Sequence, residues 1–262
     1  MKHLANTPSD WEEIDLPWVA DNMSTDIGDN GRTRRAMQFV RFTPRSTPYK
    51  SNSLIEMHST WENYLAGLDR KVRHELRRNL RRINDYGNVE FVRHRPGPQR
   101  EGDGDPRWDL FDECEEVSRA SWQADSANGN TLCHPNFRDF YRDAHAAATK
   151  LGMVDLALLK LDGSPVAFSY NYHYQDRVFG LRMGYDQSAG VKGLGTALLS
   201  HVVRDGFDRG DRCLELGVGE EHFKQRLRTC VQTSCRLTYT PVTSWRPQVM
   251  RASRWLRRLA VG

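Results

Sequence analysis

The sequence has no run of about 18 apolar residues, which excludes an ordinary transmembrane helix. Its five cysteines are odd in number and form no C-x-x-C pair, so neither a disulfide framework nor a zinc site is expected. Residues 1–11 contain one basic residue and no apolar stretch, which is unlike a secretory signal. Internal repeats and long low-complexity tracts are absent as well. These features favour a globular protein of the reducing cytoplasm, with no bound metal.

Acidic residues are missing from two arginine-rich stretches. The 262 residues carry a net charge of only +4, yet residues 32–50 carry +6, residues 70–82 carry +6 and residues 224–258 carry +9. The first and third stretches contain no Asp or Glu, and the rest of the chain sums to −17. Such segregation indicates an anionic partner. The alternative is a genomic bias towards arginine, which explains the excess of arginine over lysine better than it explains the missing acids.

The clearest helix prediction covers residues 68–86. Val72, Leu76, Leu80 and Ile83 form one apolar stripe at helical spacing, so the opposite side should face solvent. That side is predicted to carry Arg73, Arg77, Arg78, Arg81 and Arg82. A solvated charged face is the ordinary interpretation, and a surface that binds tRNA phosphates is the functional one.

Residues 245–259 are predicted to form a terminal basic helix. It would present Arg254, Arg257 and Arg258 either to RNA or to an anionic membrane surface. Aromatic residues are interleaved with the basic stretches, as stacking sites for unpaired bases would be, so RNA is the preferred partner.

After residue 87 the pattern predicts the order β-α-α-β-β-β-α-β-α-β. Asp162-Gly163 joins two of the strands and is a strong hairpin signal. Alternation of strands and helices predicts an α/β fold in which a mixed sheet has helices on both faces. The predicted organisation is an N-terminal segment (1–87), a main domain (88–242) and a basic C-terminal helix (243–262).

A glycine-rich loop follows one predicted strand and opens a helix. Here backbone N–H groups could converge on a phosphate, aided by the field of the helix N-terminus. The candidate donor-binding residues are Val191, Lys192, Gly193, Leu194, Gly195 and Thr196. The structural alternative is a tight turn that leads into a packed helix.

The stretch from Val178 to Gly217 resembles the acetyl-CoA-binding core of the GNAT N-acetyltransferase superfamily. The signature of that core begins with Arg or Gln, followed by x-x-G-x-G or x-x-G-x-A. Gly193 and Gly195 match it, whereas Gly190 stands where the Arg or Gln belongs.

A second resemblance, to Fem-like transferases and the related cellulose-biosynthesis acetyltransferase-like proteins, lies in residues 214–227. The pattern is a strand, Gly-x-Gly, acidic residues, then an aromatic-Lys pair and a basic residue. Residues 71–82 are similar to the basic helix of that group, and the matches together cover roughly residues 53–242. Members carry two GNAT-like units, whereas this chain has room for one complete unit and a partial N-terminal one.

The resemblance implies a GNAT fold, a mixed and mostly antiparallel sheet flanked by helices, and acyl transfer to an amine. The first-choice donor is aminoacyl-tRNA, which would be a co-substrate and not a permanently bound cofactor. The acceptor would be the amine of a small molecule or peptide precursor. An acyl-CoA-dependent N-acetyltransferase is the alternative. A third hypothesis is a non-catalytic RNA- or membrane-surface-binding protein on a GNAT-like scaffold.

Candidate catalytic residues follow from the same comparison and from strand alternation. The aromatic-Lys pair maps onto Phe223 and Lys224, which gives Lys224 the role of stabilising an oxyanion and Phe223 a place at the donor. Glu215 lies mid-strand on the face opposite its leucine neighbours. There it would either act as a general base or pair with an arginine. His173 is a further candidate base. The candidate acceptor-pocket residues are Trp122, Asp125, Tyr170, Tyr172 and Tyr185.

Overall fold

The computed structural model describes residues 1–7, 11–20, 31–97, 104–125, 131–219 and 222–241. The chain forms two compact units. The larger unit is Ser53–Cys230, and the smaller one combines Met1–Asn52 with the chain from Val231 onwards. Residues 245–259, with Arg254, Arg257 and Arg258, lie outside the described residues.

The described elements follow one another in chain order. The first four are α1 (Lys2–Asn6), β1 (Ile14–Val19), α2 (Arg32–Phe39) and β2 (Arg45–Glu56). The next six are α3 (Trp61–Gly67), α4 (Arg70–Asn84), β3 (Val89–His94), α5 (Trp108–Arg119), α6 (Pro135–Lys150) and β4 (Val154–Leu161). The last six are β5 (Ser164–Tyr174), β6 (Arg177–Tyr185), α7 (Leu194–Arg209), β7 (Cys213–Val218), α8 (His222–Leu227) and β8 (Cys230–Tyr239).

The larger unit has a twisted sheet between two helical layers. Its strand order is β2-β7-β6-β5-β4-β3, counting only the end of β2. Strands β3 to β6 pair antiparallel, and β6 pairs parallel with β7. This confirms the predicted mixed, mostly antiparallel sheet and the predicted element order after residue 87.

Strand β4 shows why helices cover both faces of this sheet. Ala157 and Leu159 pack with α3, α4 and α7 in one core. Leu156 and Leu158 point the other way and pack with α5 and α6 in a second core. A strand buried on both faces reads as a continuous apolar run.

Two local features shape the larger unit: a helix cap, and the hairpin turn that the sequence predicted. The Thr60 hydroxyl accepts a hydrogen bond from the Asn63 amide at 3.2 Å and caps α3. Asp162 and Gly163 both have positive φ, 49° and 81°, as a tight β4–β5 hairpin turn requires. None of the helices in the described ranges is long and apolar enough to cross a membrane.

Three elements of the smaller unit, α1, β1 and α2, were not predicted from sequence periodicity, whereas β8 was. Strand β1 pairs antiparallel with β8, and their core combines Ile14, Met37, Phe42 and Leu237. The Phe42 ring stacks on Tyr239 at a centroid distance of 4.5 Å. The predicted boundaries of the N-terminal segment and the main domain stay a prediction, while α3 and α4 lie within the larger spatial unit.

A buried cluster of charges connects the ends of β3 and β4 to the residues that precede β7. Arg93 at the end of β3 donates twice to Asp155 of β4, at 3.0 and 2.7 Å. Arg95 donates to Asp155 at 2.7 Å and to Asp211, which precedes β7, at 2.9 Å and 2.5 Å. Burial raises the pKa of Asp211, but hydrogen bonds from His173 and Arg95 and the charges of Arg95 and Arg93 outweigh it and lower the pKa to about 2.

Substitution Asp155→Asn is expected to destabilise the larger unit by about 3 kcal/mol, because it removes the buried carboxylate that the Arg93 and Arg95 guanidiniums share. Asp112→Asn, which removes a half-exposed partner of Arg142, should cost under about 1 kcal/mol. Denaturant titration measures both losses. Since folding lowers the carboxyl pKa values, the contribution of the cluster is full above about pH 4 and is lost as pH falls towards 2. Equal losses in the two variants would contradict this role.

Candidate active site

The larger unit contains a cavity of about 430 Å³ where strands β6 and β7 separate. Their parallel pairing covers three positions and ends at Phe179 and Glu215. Beyond this point the cavity lies against Gly180–Tyr185 of β6 and Leu214–Leu216 of β7. The gap between these two parallel strands is therefore a place where a ligand can reach the middle of the sheet.

Two local features hold the strands in this arrangement. A methyl group on Gly180 would come within 2.8 Å of the Glu215 carbonyl oxygen, so this position requires glycine. One step further, β6 has an extra residue, Leu181, opposite β5. Such a bulge bends a strand and increases its twist, which carries β6 away from β7.

The glycine-rich loop contacts helix α4. Gly193, at φ +94°, precedes α7, and a methyl group there would come within 2.6 Å of the Asn79 Cγ atom. Asn79 is buried on α4, and the Arg82 guanidinium lies 3.5 Å from the Lys192 carbonyl oxygen. The glycine therefore allows α4 to pack against the start of α7.

The predicted donor-binding residues divide into three groups. Gly195 and Thr196 line the cavity. Val191 and Leu194 are buried in the core, whereas Lys192 is exposed. Both interpretations of the loop therefore have support: the turn packs a helix, and the first turn of that helix faces the cavity.

Lys224 and Phe223 lie on α8 and line the same cavity, together with Glu215. Lys224 is buried, and its Nζ atom donates to the Val218 carbonyl oxygen at 2.6 Å. Leu214 packs into the core beside α7, so Glu215 faces the opposite side of β7, as alternation predicted. Lys224 and Glu215 thus both line the cavity, and residues of these two types can stabilise a charge and accept a proton.

Trp122 and Tyr185 also reach the cavity. Gln123, which sequence reasoning missed, fixes the Trp122 loop because its amide donates to the Met183 carbonyl oxygen of β6 at 2.8 Å. The Ser118 hydroxyl donates to the other end of the same amide at 2.9 Å. Asp125 is exposed and is not among the residues that line the cavity.

The structure corrects the choice of face on β5. Tyr170 is fully buried in the core against Phe111, where burial raises the pKa of its hydroxyl, and Tyr172 points the same way. Ser169 and Asn171, on the opposite face, line the cavity instead. The alternation of the strand was visible in the sequence, but not which side the cavity occupies.

His173 lies at the other end of β5. Its Nε2 atom is 3.4 Å from the Asp211 carboxylate in the charge cluster, and the residue does not line the cavity. The structure therefore does not bring His173 to Lys224 and Glu215.

The predicted arginine face of α4 is present, and two of its members, Arg73 and Arg82, contact backbone carbonyl oxygens of other segments. Arg77, Arg78 and Arg81 are exposed. Arg73 donates to the carbonyl oxygens of Ala66 and Leu68 at the end of α3, at 2.8 and 2.5 Å. The acid of this helix, Glu75, pairs with Arg226 of α8 at 2.7 Å, and that hydrogen bond lowers the pKa of the Glu75 carboxyl.

Substitution Gly193→Ala is expected to destabilise the larger unit more than Gly190→Ala does. Both positions have positive φ, which costs an alanine about 1 kcal/mol, but a methyl group on Gly190 meets open space. Overpacking against Asn79 should add about 1 to 3 kcal/mol. Thermal unfolding measures the difference, and an Asn79→Ala background should abolish it. A difference that survives in that background would contradict the packing role.

Comparison with known proteins agrees with this geometry. Residues 70–225 match the family model described as an acetyltransferase (GNAT) domain. The fold resembles FemX, with a TM-score of 0.57 and 10% identity, over 88% of this chain and 72% of that one. It also resembles L-PGS from Bacillus licheniformis, with a TM-score of 0.53 and 18% identity, over 85% of this chain and 69% of that one. No match was found among curated protein sequences.

Proposed function

Since the chain belongs to the GNAT acetyltransferase domain family, we propose that it is an amide-forming acyltransferase whose donor is aminoacyl-tRNA. The acceptor is the amine of a small molecule or peptide precursor. The observation that carries the proposal is the packing of the arginine-bearing helix α4 against the start of α7, beside the cavity that contains Lys224 and Glu215.

The proposed reaction assigns one role to each of two residues that line the cavity. The amine attacks the acyl carbonyl carbon, and the ammonium of Lys224 stabilises the negative charge that develops on the carbonyl oxygen. Glu215 accepts the proton that the amine loses. The ester bond to the ribose breaks, and the ribose oxygen leaves with the proton that Glu215 took from the amine. The FemX-like fold supports this chemistry as an analogy.

The charges of α4 support a polyanionic carrier. Arg77, Arg78 and Arg81 are exposed on one helix, and Arg226 neutralises the acid of that helix. Asn79 and Arg82 of α4 contact the glycine loop. A tRNA whose backbone lies on α4 can therefore place its aminoacylated end near that loop. The match to the GNAT family model and the α7 start, with Gly195 and Thr196 in the cavity, support acyl-CoA as the alternative donor.

Purified protein mixed with charged tRNA, and separately with acetyl-CoA, tests the choice of donor. We expect binding of tRNA at physiological salt, with affinity that falls by about 10³-fold or more between 50 and 200 mM salt when six or more phosphates are contacted. Tight binding of acetyl-CoA without binding of tRNA would overturn the first choice and favour the alternative. Binding of tRNA without any acyl transfer to a panel of amines would favour the non-catalytic hypothesis.

The triple substitution of Arg77, Arg78 and Arg81 to Glu is expected to weaken tRNA binding and to lower the salt slope by about one per lost phosphate contact. The helix should stay folded, since all three side chains are exposed. For a matched single change, Arg77→Glu should weaken binding more than Lys150→Glu at the exposed end of α6. Filter binding across a salt series measures the effect, and equal losses in the two single variants would contradict it.

The substitution Lys224→Met keeps much of the side-chain volume and removes the charge. We expect kcat to fall by about 10² to 10³, because the oxyanion loses its stabilising group, while donor affinity changes little. Deacylation of charged tRNA in the presence of an amine panel measures kcat. Lys150→Met is the control and should keep full activity. An unchanged kcat in Lys224→Met would remove this residue from the mechanism.

A further inference from the structure

Asn171 is a buried amide in the wall of the cavity. It lies on β5, is 2% exposed and pairs in the sheet with Asp155 on one side and Gly180 on the other. Its side chain shares a face with Ser169 and Ala167, and Ala167 packs in the core with α7. The reaction proposed above does not use it.

One end of this amide has a partner and the other has none. The Ser169 hydroxyl donates to the Oδ1 atom of Asn171 at 3.0 Å. The buried Nδ2 atom has no hydrogen-bond partner within the part of the chain that the structure describes. A buried amide N–H that stays unpaired opposes folding, and such groups are rare in native proteins. A bound ligand would give this group the partner that the fold does not.

The amide lies where the sheet opens. A methyl group on its sheet neighbour Gly180 would be 3.8 Å from the Oδ1 atom of Asn171, and Phe179–Glu215 is the last parallel pair before the gap. On this side the cavity is lined by Leu199 and Val202 of α7. A polar pair, Ser169 and Asn171, therefore lies beside an apolar wall.

The surroundings define the chemistry of the ligand group. A carboxylate would be desolvated against leucine and valine, and a methyl group would leave the amide unpaired. A hydroxyl group accepts from an amide N–H and donates to an amide oxygen, so it can pair with either end of Asn171. A neutral hydroxyl on the part of the ligand that enters deepest meets these requirements.

We propose that Asn171 is a specificity-determining residue that binds a hydroxyl group of the transferred acyl group. The inference rests on the proposed function, because it places the acyl group in the cavity beside Lys224. It holds for an acyl group on tRNA or on CoA. The enzyme then prefers a hydroxyl-bearing acyl group over one of the same shape with a methyl group in that position, since the methyl leaves Asn171 unpaired.

Two isosteric pairs of donors test the proposal without an acceptor. The first is one tRNA body charged with threonine or with valine, and the second is 3-hydroxybutyryl-CoA or isovaleryl-CoA. Dissociation constants are measured for the wild-type protein and for Asn171→Leu, which has a similar shape and no amide. With the carrier that binds, we expect the wild type to bind the hydroxyl member about tenfold more tightly or better, and Asn171→Leu to lose or reverse this preference.

Carrier controls separate this inference from the proposed function. The unacylated form of the carrier that binds, deacylated tRNA or free CoA, should bind both proteins equally, which also shows that Asn171→Leu is folded. Ser169→Ala, a smaller change, should reduce the preference because it frees the amide to turn. Equal affinity for the two members of a pair, or a preference that Asn171→Leu retains, would overturn the role of Asn171 alone. If neither carrier binds at all, the proposed function is overturned and this inference with it.

Discussion

The separation of β6 from β7 is the constraint on which the site depends. The two strands pair over three positions, and a bulge at Leu181 then turns β6 aside. The charge cluster of Arg93, Arg95, Asp155 and Asp211 ties together the strand ends on the side where the pairing begins. Buried ion pairs thus connect the strands at one end. At the other end the strands separate around a cavity that is lined by residues of β5, β6 and β7.

The helices around this opening connect it to the arginine surface. Helix α4 packs on the start of α7 through Asn79 and Gly193, and it reaches α8 through the Glu75–Arg226 ion pair. Helix α8 carries Lys224 and Phe223 into the cavity. The helix that bears the exposed arginines is therefore in direct contact with both helices that line the cavity.

Much of this architecture could be predicted because the relevant signals are local. Spacing of Val72, Leu76 and Ile83 was enough to place α4 and its solvent face, and Asp162-Gly163 placed a hairpin. The face of β5 that meets the cavity could not be predicted, because it depends on a bulge in the next strand. The surroundings of His173 could not be predicted either, because its neighbour Asp211 is 38 residues away in the chain. In the smaller unit, β8 was predicted, whereas α1, β1 and α2 are short and partly polar, so their periodicity gave no signal.

The connectivity of the sheet also orders its assembly. Strands β4, β5 and β6 are joined by short turns and pair with their neighbours in sequence, so their contacts are local and can form early. The pairing of β6 with β7 spans the whole of α7, as a parallel connection must. A nascent chain that has emerged only as far as β6 can hold the meander, yet it has neither Glu215 nor Lys224. The candidate site is therefore completed late in synthesis, after the strands of the meander have emerged.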